Sequence, residues 1–131
     1  MVFLVDDDID DLEIVQEALV KNNYTGPVDT APNGQVLIDK LTREQDPARP
    51  DVIVLDLNMP LKDGFQTLRE IKNNPALSFI PVIILTASSS KDDELRCRAL
   101  GCESYFRKPD RMADYQSIVT AIKAHLAQSS S

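Results

Sequence analysis

Two stretches of this chain, Val52-Ile53-Val54-Leu55 and Val82-Ile83-Ile84-Leu85, are apolar at every position. A strand with one wet face alternates apolar and polar residues, so unbroken aliphatic runs of this length belong in a sheet covered on both faces. Such sheets are parallel, and each parallel connection needs a crossover long enough to hold a helix. The intervening segments supply those helices. Leu12, Val15, Ala18 and Leu19 lie on one helical face, with Asp8 placed as a cap and Asn22-Asn23 and Gly26-Pro27 as breakers. Val36, Leu37, Ile38 and Leu41 follow Asn33-Gly34, while Phe65, Leu68 and Ile71 face inward on a helix ended by Pro75. A poorly amphipathic segment after Ser88-Ser89-Ser90 offers little beyond Leu95, Ala99 and Leu100. Tyr115, Ile118, Val119, Ile122 and Leu126 form a final core stripe. Val2–Val5, Val28–Ala31 and Ser104–Phe106 are the remaining strands.

Five strand–helix pairs with right-handed crossovers make a doubly wound α/β domain, (βα)5, with the flavodoxin-like strand order 2-1-3-4-5. The pairs occupy residues 1–127 as one domain, leaving 128–131 as a frayed tail. No linker, repeat or low-complexity block divides the 131 residues.

Ligands of an open parallel sheet bind beyond the carboxyl ends of its strands. Here those ends carry Asp6-Asp7, Asp56, Thr86 and Lys108. One aspartate after a strand is a turn former or a cap; four chemically useful endings in register are a site. Three clustered aspartates cannot all stay ionised without a counter-charge, and all-oxygen ligands with room for water favour Mg²⁺. The run Asp6-Asp7-Asp8 leaves the ligand register open by one position. Lys108 adds a point charge able to meet a phosphoryl oxygen, and Thr86 offers a hydroxyl donor. Asp56, ending the most buried strand, is the natural nucleophile for an aspartyl phosphate.

The chain resembles the receiver domain of bacterial two-component response regulators along essentially its whole length. The matching stretches are Phe3-Leu-Val-Asp-Asp-Asp, Val54-Leu-Asp-Leu-Asn-Met-Pro-Leu-Lys-Asp-Gly, Val82-Ile-Ile-Leu-Thr-Ala and Tyr105-Phe-Arg-Lys-Pro. The resemblance implies that Asp56 accepts a phosphoryl group from a phosphohistidine on a sensor histidine kinase or histidine phosphotransfer protein. It implies Asp7 as a direct Mg²⁺ ligand, Asp6 helping through water, and the backbone carbonyl of Asn58 completing the set. Lys108 would pair with the acids, ahead of a cis bond to Pro109. Phosphorylation would draw in Thr86 and let the Tyr105 ring fill the vacated space. That would remodel the face of the fourth helix, fifth strand and fifth helix, where partners bind or a homodimer forms. Asp110 stands where the family usually has an apolar residue. The Thr42–Pro50 connection and Lys72-Asn-Asn-Pro-Ala-Leu resemble small stand-alone regulators, including those paired with phytochrome-type kinases. Asn58 and Ser88, two residues beyond Asp56 and Thr86, would border the hydrolytic water and influence the lifetime of the phosphorylated state.

Other readings fit less of the chain. Asp8, Asp10 and Asp11 are read as a solvated helix start stabilised by the helix dipole. Asp6, Asp8, Asp10 and Glu17 half-match a calcium loop, yet its obligatory glycine position is Asp11 and no entering helix precedes it. A haloacid-dehalogenase-type phosphatase would use Asp6, Asp8, Thr86 and Lys108, but it lacks a further acidic strand end and leaves Asp56 idle. Cys97 and Cys102 read as lone small hydrophobes, and His125 as a solvated side chain. The net charge of −7 shows no basic stripe for nucleic acid, and no apolar run spans a bilayer. The opening residues lack a signal-peptide pattern and the cysteine usage suits a reduced cytoplasm, so a cytoplasmic location is expected. Asp6, Asp7, Asp8, Asp10, Asp11 and Asp56 contribute −6, so the rest of the chain is nearly balanced at −1 of the net −7.

Overall fold

The aliphatic runs stand at the centre of the sheet, as their lack of any wet face requires. The computed structural model describes residues 1–129, in which β1 (Val2–Val5), α1 (Ile9–Lys21), β2 (Val28–Ala31), α2 (Gly34–Thr42), β3 (Val52–Leu55), α3 (Gly64–Asn73), β4 (Val82–Thr86), α4 (Lys91–Leu100), β5 (Ser104–Arg107) and α5 (Gln116–Ser129) follow in order. A 3-10 turn, Met112–Tyr115, leads into α5. The strands pair in parallel in the order β2-β1-β3-β4-β5, the winding expected from the sequence.

Successive strand residues serve opposite faces, because side chains alternate across a strand. Phe3, Val5, Ile53, Leu55 and Ile84 pack with Leu37, Leu68 and Ile71 on the side of α2, α3 and α4. Val2, Leu4, Val54, Ile83 and Leu85 pack with Val15, Leu19, Ile118 and Ile122 on the side of α1 and α5. Two cores therefore clamp one sheet, and the strands have no freedom to slide. A one-residue slip would exchange every side chain between the two cores.

Several local expectations are corrected. On α4 the residue that enters the core is Cys97, while Leu95 is 64% exposed and Ala99 also faces solvent. Cys97 is the one fully buried residue of this helix, and Leu100 packs half-buried against the same core, as expected. Phe65 faces inward as expected, half-buried against the core, and the Arg96 guanidinium of α4 lies over its ring at 4.0 Å from the centroid. The Lys108–Pro109 bond is trans, as is every described peptide bond. The backbone of α5 continues through Gln128 and Ser129 rather than fraying there, and residues 130 and 131 lie outside the described residues. Among the described residues, no helix is long and apolar enough to cross a membrane.

Asp63-Gly64 opens α3. Asp63 caps it and exchanges reciprocal hydrogen bonds with Gln66. A Cβ on Gly64 would stand 2.4 Å from the Asp56 carbonyl oxygen and 2.6 Å from Leu57 Cα, both backbone atoms of the segment leaving β3. Neither can rotate aside, so this glycine is what lets α3 seat against the strand end. Gly64→Ala is therefore expected to cost about 1–3 kcal/mol of stability through overpacking. Urea unfolding measures it, and a loss below about 0.5 kcal/mol, the usual range of surface changes, would contradict the contact.

Candidate functional site

The backbone ladder continues one residue past each strand and so delivers the functional side chains side by side. Val5 pairs with Leu55, which makes Asp6 and Asp56 lateral neighbours. The Asp56 amide donates to the Val5 carbonyl at 3.0 Å and the Asp6 amide to Ala31 at 3.1 Å, while the Lys108 amide donates to Thr86 at 2.7 Å. The carboxylates of Asp6, Asp7 and Asp56 offer oxygens all within 4.8 Å of one another. Asp6 and Asp56 are buried and Asp7 is exposed. Three hard oxygen donors at that spacing, one open to solvent, suit a divalent cation that keeps part of its water.

The Lys108 ammonium closes the cluster. It lies 2.8 Å from Asp6 Oδ2, 2.7 Å from Asp11 Oδ2 and 3.5 Å from Asp56 Oδ2. Burial works against its charge, but the hydrogen bonds to Asp11 and Asp6 and the negative charge of Asp56 outweigh it and hold the lysine above its usual range. Asp6 goes the other way. Its burial pushes the carboxyl up to about 6, against the lowering by Lys108 and by the Asp8 amide that it accepts at 3.0 Å. Asp56 Oδ1 accepts the Leu57 amide at 2.8 Å, which fixes the carboxylate's rotation.

Asp8 stands outside the group formed by Asp6, Asp7 and Asp56. Asp8 is exposed and caps α1, its Oδ1 accepting from the Asp10 and Asp11 amides at 2.9 and 3.4 Å. It is thus occupied, and the calcium-loop and dehalogenase arrangements that needed it lose a member. Asp11 was read as part of the solvated helix start and instead reaches Lys108. The signal for it was its place in the first turn of α1, since helical side chains lean toward the N-terminus and so back over the strand end.

Thr86 is fully buried and its Oγ1 accepts the Ser88 amide at 3.3 Å. Tyr105 is half-buried, with its hydroxyl 3.5 Å from the Ser88 carbonyl, and Ser88 Oγ donates to Asp93 at 2.7 Å. Thr86, Ser88 and Tyr105 are thus joined by one loop whose far end is the start of α4. Asn58 is exposed and shares with Asp7 an open cleft of about 510 Å³, bordered also by Met59, Pro60, Asp63 and Phe65. Cys97 is buried, with its thiol pushed up to about 12, chiefly by that burial, and Cys102 is half-buried. His125 is half-buried on α5, away from the carboxylate group.

Known proteins are similar to this chain in sequence and in fold. A family model, the response regulator receiver domain, matches residues 2–122. Response regulator Rcp1 of Synechocystis sp. is 33% identical over 127 residues, covering 95% of this chain and 86% of that protein. The crystal structure of the phosphorylated cyanobacterial phytochrome response regulator RcpA is similar with a TM-score of 0.83 at 36% identity, over 93% of this chain and 89% of RcpA. The Mn(2+)-bound form of Rcp1 gives a TM-score of 0.78 at 34% identity, over 94% of this chain and 91% of that one.

A raised carboxyl favours its protonated form in the folded state. The contribution of Asp6 to stability is therefore fully present below the unfolded value of 3.8 and is lost as pH rises through about 6. In metal-free protein, carboxyl ¹³C NMR should show Asp6 titrating with a midpoint near 6. A midpoint in the ordinary aspartate range would contradict the burial account.

Proposed function

The chain belongs to the response regulator receiver domain family, and from that membership we propose that it is a two-component phospho-switch whose acceptor is Asp56. The observation that carries this reading is the union of Asp6, Asp7 and Asp56 within 4.8 Å, bridged by the ammonium of Lys108. The donor is a phosphohistidine of a sensor histidine kinase or histidine phosphotransfer protein. An Asp56 carboxylate oxygen attacks its phosphorus, the P–N bond breaks, and the electron pair returns to the imidazole. Lys108 neutralises charge on the transferring group, and Thr86 turns its hydroxyl from Ser88 toward a phosphoryl oxygen. Asp6, Asp7, Asp56 and the backbone carbonyl of Asn58 would hold Mg²⁺. When bound, that ion supplies the remaining charge neutralisation at the phosphoryl oxygens.

Movement of Thr86 frees the loop that Tyr105 touches through Ser88, and the Tyr105 ring follows it inward. The readout is the α4–β5–α5 face, with α4 free to shift because Cys97 is its one buried side chain. The chain acts as a stand-alone regulator in the cytoplasm, paired with a phytochrome-type kinase, and catalyses only its own phosphorylation and dephosphorylation. It signals by contact with a protein partner or by dimerising through that face, and takes no nucleic acid.

Acetyl phosphate with Mg²⁺ is expected to add one phosphoryl group by intact mass, and Asp56→Asn to abolish the addition. Labelling that survives the substitution would overturn the acceptor assignment. Sustained phosphate release from p-nitrophenyl phosphate would point to a phosphatase instead.

A further inference from the structure

We propose that Asp11 is a positioning residue for Lys108: it anchors the ammonium in the resting state and competes for it with the phosphorylated side chain of Asp56. This inference rests on the function proposed above. Its first support is the ordering of distances. Lys108 Nζ makes contacts of hydrogen-bond length with Asp11 at 2.7 Å and Asp6 at 2.8 Å, and stands off from Asp56 at 3.5 Å. The lysine is thus bound to the β1–α1 side of the site and merely faces the acceptor.

Neither end of the Asp11–Lys108 contact can drift. Asp11 is a helical residue whose amide is held by the Asp8 cap, and its charge lies at the helix N-terminus, where the dipole favours it. The Lys108 backbone is fixed by its amide bond to the Thr86 carbonyl. With both backbones held, the long lysine side chain is the part able to swing toward Asp56. Asp6, Asp11 and Asp56 together border a void of about 10 Å³ floored by Leu4, Val54 and Leu85, too small for more than one water. With the Lys108 and Asp11 side chains only 14% and 26% exposed, the ion pair is screened less than a surface pair.

Phosphorylation replaces the single charge of Asp56 with about two charges and three strong acceptor oxygens. The ammonium is then drawn toward them and must loosen its hold on Asp11. A carboxylate that binds the lysine better before phosphorylation than after it lowers the stability of the phosphorylated state relative to the resting one. Asp10, one residue earlier, carries the same charge on the same helical turn but is exposed and does not meet Lys108. It separates contact from general electrostatics.

The test is a titration with beryllofluoride, a non-covalent phosphoryl mimic, at saturating Mg²⁺, followed by ¹H–¹⁵N NMR. Asp11→Asn should tighten half-saturation by about two- to fivefold, the effect of one partly exposed ion pair. Asp11→Glu should restore the wild-type value and Asp10→Asn should leave it unchanged. The Lys108 ammonium resonance, protected from exchange in the wild type and in Asp11→Glu, should broaden away in resting Asp11→Asn. Asp11→Ser replaces the asparagine variant if the latter does not fold. Half-saturation in Asp11→Asn no tighter than wild type, or equal tightening in Asp10→Asn, overturns the role of Asp11. A wild-type protein that shows no Asp56-dependent beryllofluoride binding overturns the phospho-switch reading itself.

Discussion

Asp6 and Asp56 end neighbouring strands of a sheet clamped between two cores, so their carboxylates cannot move apart without a change of register that would exchange the cores. The ammonium of Lys108, held in place by the end of β5, is the charge within the protein that makes this adjacency tolerable. It does not satisfy the site. Burial still pushes Asp6 up to about 6, and Asp7 adds a further charge at the solvent edge. The fold holds together more negative charge than its one lysine can balance, and a divalent cation and a phosphoryl group are what such an imbalance selects.

The same geometry links chemistry to the surface. Thr86 and Lys108 are joined through the backbone at the ends of β4 and β5, and Thr86 also holds the loop bearing Ser88. That loop contacts Tyr105 and Asp93, and Asp93 lies in the first turn of α4. One buried hydroxyl is thereby connected to a helix with a single buried side chain, Cys97. Arg96 over Phe65 ties that same helix back to the cleft beside Asn58. The first two turns of α4 are thus connected to the edge of the acid site through Ser88 on one side and Phe65 on the other.

The sheet was legible in the sequence because burial on both faces leaves a continuous aliphatic signature, and Asp56 was legible as a member of the cluster because it ends the clearest such run. Strand ends also located Asp6, Asp7, Thr86 and Lys108 without any knowledge of side-chain positions. What escaped depended on direction. Asp8, Asp10 and Asp11 have the same composition, and only the lean of helical side chains toward the N-terminus brings Asp11 over the site while Asp8 turns to cap the helix. Cys97 escaped because a small residue can anchor a helix where larger neighbours such as Leu95 face outward. Periodicity placed Phe65 against the core, where it packs, but the arginine over its ring comes from another helix, a tertiary contact that local pattern does not encode.

The central claim is that Asp6, Asp7 and Asp56 form one divalent-cation site whose excess charge drives the switch. Paramagnetic Mn²⁺ titrated into metal-free protein tests it directly by ¹H–¹⁵N NMR. The account predicts saturable broadening centred on the amides around Asp6, Asp7, Asp56 and Asn58, reversed by excess Mg²⁺. Broadening centred on Asp8, Asp10 and Glu17, or no saturable site, would contradict it.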